Sequence, residues 1–144
     1  MKFFIKINTI SALYALALFI AIELIINVTR ISSLTGWRWD NIYILVAVIN
    51  VLGLLLSTIL FIYLTKKWKL GRKNSYWLLI LWVPYFILLL SCFTVLVPLG
   101  SGATLFPRFS LLIFGSSFLF PVYILFINIY ATPLIADEEE IMLP

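Results

Sequence analysis

INTISALYALALFIAIELIINV, residues 7–28, decides how this chain is read. It is 22 residues long and carries one charge, Glu23. About 20 apolar residues are enough to cross the ~30 Å hydrocarbon core of a bilayer. Lys2 and Lys6 ahead of the run, and the alanines around Ala17, also fit the start and cleavage site of a secretory signal. Such a signal has an apolar stretch of only about 7–15 residues. The unbroken run to Val28 therefore predicts a retained membrane helix.

Three more runs of the same kind follow, over 43–65, 76–97 and 109–132. Of the 144 residues 64% are hydrophobic and 11% charged, with a mean hydropathy of +1.15. Soluble domains carry roughly 25% charged residues. The expected fold is all-α: an antiparallel bundle of four transmembrane helices in one domain spanning 1–144.

Composition also removes chemistries. Histidine is absent, which excludes His-ligated haem, His proton relays and most zinc sites. Cys92 is the only cysteine, so neither an internal disulfide nor a C-x-x-C redox pair can form, and its apolar surroundings predict a small core residue. A hydrolase would need a nucleophile with a base, and Glu23 alone does not supply one. The chain is read as a non-enzyme without a cofactor.

Between the runs, residues 29–41 are expected to form a loop in which Trp37 and Trp39 anchor at headgroup depth. Asn27-Val28-Thr29 matches a glycosylation pattern but lies too close to the membrane to be used. On the second run Asn50, Gly53 and Ser57 share a face, a small-residue stripe that lets helices approach closely. Pro84 and Pro121 interrupt the third and fourth runs. Residues 66–75 form a basic loop with Lys66, Lys67, Lys69, Arg72 and Lys73, and residues 136–144 form an acidic tail. The tail is read as a solvated terminus that can pair with the basic loop.

Orientation follows from Lys and Arg near the run ends. The side holding both termini and the 66–75 loop has seven, and the other side has three: Arg30, Arg38 and Arg108. The positive-inside rule then makes the termini cytoplasmic. The net charge of +4 is accordingly read as attraction to anionic headgroups at that face, and no nucleic-acid partner is expected.

With this orientation, Glu23 lies five residues below the outer boundary, Asn50 seven, Ser91 six and Ser116 seven, so that all four fall about 8–11 Å deep. Asn27 and Arg30 share the face of Glu23 above that level, and Arg108 stands at the rim of the fourth run. A carboxylate in hydrocarbon normally faces protein, a partner or water. Three roles follow for the layer. It is interhelical glue, with Glu23 neutral or arginine-paired; or the floor of an outward-facing pocket rimmed by arginines; or a carrier site for a proton or cation. The expected function is contact with a membrane partner or with further copies of the chain, as an accessory, regulatory or immunity-type protein of the plasma or inner membrane. A small transporter or amphiphile-binding protein built on Glu23 is the alternative.

Overall fold

The computed structural model describes residues 2–68, 76–96 and 108–131. Within them there are five helices and no strand: α1 (Lys2–Ile26), α2 (Val28–Thr35), α3 (Trp39–Lys67), α4 (Leu78–Leu96) and α5 (Arg108–Ala131). All but α2 are long and apolar enough to cross a membrane, as a multi-pass membrane protein requires. The basic residues Lys69, Arg72 and Lys73 and the acidic tail 136–144 lie outside the described residues.

The first span is shorter at its far end than the apolar run suggests, and the expected 29–41 loop is largely helical. The cause is Asn27. Its φ of −89° and ψ of 10° depart from helical values, and its side chain folds back to donate to the Glu23 carbonyl at 2.9 Å. Asparagine competes for backbone groups in this way and so interrupts helices. Past the interruption, VTRISSLT resumes as α2, burying Val28 and Ser32 and exposing Thr29, Arg30, Ser33 and Leu34. Gly36 ends it in the left-handed conformation, φ 69°, with its N–H on the Ser32 carbonyl at 2.9 Å. Ser32 Oγ then donates to the Trp37 carbonyl at 2.8 Å, which ties the short connection to α3.

Hydrophobic periodicity is nearly absent from the long helices because their outward faces are as apolar as their inward ones. Phe118, Leu119, Phe126 and Ile129 on α5, and Ile80, Ile87 and Leu88 on α4, are all exposed. Such surfaces suit lipid or a protein partner.

Packing centres on Tyr14. Its ring stacks on Phe61 of α3 with centroids 3.9 Å apart, and it meets Phe120 and Tyr123 of α5 edge-on at 6.1 and 6.5 Å. Trp82 of α4 completes the cluster against Phe120 at 5.0 Å. Ile7, Ile10, Leu18 and Ile22 extend it along α1. A second, smaller cluster joins Val28, Ile42 and Val46 to Leu24, Ile25 and Ile31 at the corner of α1, α2 and α3.

Paired contacts give the helix directions. Asn8 meets Tyr85, and Phe19 meets Phe93, so α1 and α4 run the same way. Thr58 meets Tyr123, and Lys66 sits over Tyr130, so α3 and α5 also run together. Tyr14 meets Phe61 whereas Leu24 packs toward Val46, so α1 and α3 run oppositely. The most extensive helix pairing is α1 with α4, two helices of the same direction that are far apart in sequence.

Candidate functional site

Glu23 is half-buried near the end of α1. Its Oε2 accepts a hydrogen bond from Asn27 Nδ2 at 2.8 Å, one turn farther on. The i to i+4 spacing places the two side chains on one face, and the interruption at Asn27 lets the same amide also reach the Glu23 carbonyl. The pair is thus a local clamp at the junction of α1 and α2.

The other proposed members of the layer do not converge on it. Asn50 is half-buried on α3 and, among the described residues, makes no side-chain hydrogen bond. Ser91 is exposed on α4 and donates to its own helix at the Ile87 carbonyl, 2.8 Å away. Ser116 on α5 does likewise to Ile113 at 3.0 Å. A hydroxyl in an apolar helix satisfies itself on the preceding turn, so equal depth does not make neighbours. Arg30 is exposed, and among the described residues the ion pair present is Arg38 with Asp40, 3.3 Å apart at the surface. Arg108 opens α5, and its side chain lies outside the described residues, so the arginine rim is represented there by Arg30 and Arg38 alone.

Two further expectations are corrected. Cys92 is exposed on α4 rather than in the core. The stripe of Asn50, Gly53 and Ser57 does not seat a helix of this chain: a Cβ built at Gly53 would meet nothing within 4 Å. Between Val46 and Phe61, α3 has no fully buried residue.

Of the basic residues assigned to the 66–75 loop, Lys66 and Lys67 belong to the last turn of α3, where cations complement the helix dipole. Each ammonium lies over a tyrosine ring, Lys66 on Tyr130 at 5.4 Å and Lys67 on Tyr63 at 5.3 Å.

The polar links that do cross between helices lie elsewhere. Tyr85 Oη donates to Asn8 Oδ1 at 2.8 Å, joining α4 to α1, and Thr58 Oγ1 and Tyr123 Oη share a hydrogen bond of 2.7 Å between α3 and α5. Depth arithmetic anchored at the outer ends passes over both, because they sit toward the Lys66 end. The signal for the first was a lone amide, Asn8, in the opening turns of an apolar helix.

Among the described residues no three His, Cys, Asp or Glu side chains come together as a metal site would need. Among the described residues the arrangement holds a carboxylate–amide clamp, the hydroxyl links Tyr85–Asn8 and Thr58–Tyr123, and the half-buried amide of Asn50. Comparison with protein-family models, with curated proteins and with solved structures finds no match for the chain.

Proposed function

We propose that the chain is a small multi-pass protein of the plasma or inner membrane that acts by lateral contact, as an accessory, regulatory or immunity-type subunit. In this reading its four spans form one antiparallel bundle with both termini on the cytoplasmic side. Seven of its ten Lys and Arg residues favour that side.

The observation that supports contact most directly is Asn50. Its amide belongs to the twelfth residue of the membrane-crossing helix Trp39–Lys67 and has no hydrogen-bond partner among the described residues. An amide in hydrocarbon gains from a partner helix, and Gly53 one turn away leaves room for that helix to come close. The partner is a transmembrane helix with a hydrogen-bonding side chain at the same depth, from another protein or from a second copy.

The test is cysteine crosslinking in native membranes. Gly53→Cys in a Cys92→Ala background should crosslink to a discrete partner, and Asn50→Leu should weaken recovery of that partner in mild detergent. A chain that purifies alone from both experiments would sink the contact reading.

The alternative, transport or amphiphile binding at Glu23, draws on a half-buried acid followed seven residues on in the chain by the exposed Arg30. It is weighed down by the clamp, since the carboxylate is already engaged by Asn27. Inward of Glu23, the buried face of α1 carries Ile22 and Leu18 before the next polar group, an apolar stretch without a step for a proton or ion.

A further inference from the structure

Among the described residues, three interior hydroxyls have no hydrogen-bond partner: Ser11 Oγ and Tyr14 Oη on α1, and Thr65 Oγ1 on α3. Ser11 and Tyr14 have no exposed surface, and Thr65 retains 1%. Buried polar groups without partners are uncommon and costly. A serine or threonine in an apolar helix can always turn to the carbonyl of the preceding turn. Thr9, Thr58 and Ser91 do so here, at 2.6–2.9 Å. Ser11 and Thr65 do not, so their hydroxyls are directed away from their own backbones.

The helix register brings them to one level. Tyr14 stacks on Phe61, and α1 and α3 run oppositely. One turn back from Tyr14 is Ser11, and one turn on from Phe61 is Thr65. Residues advance about 100° around a helix. On α1, Asn8 meets α4 and Tyr14 meets α3, and Ser11 falls about 60° from each. On α3, Phe61 meets α1 and Thr58 meets α5, and Thr65 falls between those two directions. Both hydroxyls thus point toward the space the helices share. The Tyr14 ring, wedged between Phe61, Phe120 and Tyr123, brings its own hydroxyl into the same interior.

None of the three bonds another, so they stand beyond direct hydrogen-bond reach. We propose that Ser11, Tyr14 and Thr65 form an internal hydration site, whose bound water is shared among the three hydroxyls and ties α1 to α3. Buried waters typically make about three hydrogen bonds to otherwise unsatisfied groups. The recognising groups are all neutral, and each can donate or accept, which suits water. The neighbouring ammonium groups of Lys66 and Lys67 are held outward over Tyr130 and Tyr63.

The experiment compares thermal unfolding of the full chain in detergent with Ser11→Ala, Thr65→Val, Tyr14→Phe and the Ser11/Thr65 double variant. Deleting an unsatisfied buried hydroxyl is neutral or stabilising, whereas deleting one that holds a shared water is destabilising. Each single change is expected to lower the midpoint, and the double variant to lower it by less than the sum, because both changes release the same water. Midpoints that stay or rise, or strictly additive losses, overturn the site. A midpoint raised by sodium chloride over choline chloride, and not in Thr65→Val, would show a cation in place of water and overturn it too. Solid-state NMR of the unmutated chain in bilayers supplies a readout independent of variant folding. Water magnetisation is expected to reach the Thr65 methyl, and a methyl that receives none overturns the proposal.

Discussion

Asn27 holds Glu23 twice: one side-chain amide lies 2.9 Å from the Glu23 carbonyl and 2.8 Å from its carboxylate. The acid that stands out in the sequence is therefore part of the joint where a membrane-crossing helix gives way to a short amphipathic one. Glu23→Gln keeps an acceptor oxygen for Asn27 and should leave thermal stability and partner recovery near those of the unmutated chain. Asn27→Leu removes both hydrogen bonds and should cost about 1–2 kcal/mol, read as a lowered unfolding midpoint. Loss of all activity in Glu23→Gln, with expression and assembly intact, would instead favour the transport reading.

The aromatic cluster predicts a steep core penalty. Tyr14 has no exposed surface and touches rings from two other helices. Tyr14→Ala should destabilise the chain by about 3–5 kcal/mol, as large-to-small core changes do, and abolish a folded, monodisperse peak in detergent. Phe118→Ala serves as the control, since Phe118 is 84% exposed. It should leave the folded peak in place.

Two glycines should respond in opposite ways. Gly36 has φ 69°, where a Cβ is strained whatever the space, so Gly36→Ala is expected to destabilise by about 1 kcal/mol. Gly53 is helical with open space beyond it, and Gly53→Ala should stabilise the isolated chain by up to about 1 kcal/mol. The contact reading adds that Gly53→Leu preserves folding yet reduces partner recovery in a mild-detergent pull-down.

The tyrosine links offer a measure of interhelical glue. Tyr85→Phe and Tyr123→Phe each remove one hydrogen bond between helices. Each should cost about 0.6–2 kcal/mol, the range for such bonds in membranes. The two bonds join different helix pairs, so their effects on the unfolding midpoint should add.

Sidedness is open to a direct check. In a Cys92→Ala background, a membrane-impermeant thiol reagent applied to intact cells should label Ser33→Cys on α2, which is exposed, and spare Lys67→Cys at the far end of α3. The reverse pattern would invert the topology inferred from the charge count.

The amino-acid sequence by itself determined the class of this protein. Four runs long enough to cross a bilayer, few charges and no histidine set a helical membrane protein, because in hydrocarbon the backbone must satisfy its own hydrogen bonds. It also put Asn27 on the face of Glu23, since i to i+4 neighbours lie on one side of any helix, but the hydrogen bond between them is a finding of the structure. What lies across helices was not legible. Equal depth suggested that Glu23, Asn50, Ser91 and Ser116 face one another, but depth sets height along a helix and says nothing of rotation about it. With outward faces as apolar as inward ones, no periodicity marks the buried side. Only the tertiary structure decided that α1 pairs chiefly with the distant α4, that Ser91 and Gly53 face outward, and that Tyr14, Phe61 and Phe120 form the centre. The reason is that helix rotation is chosen by interlocking of large rings between helices, a property of pairs that no single run contains.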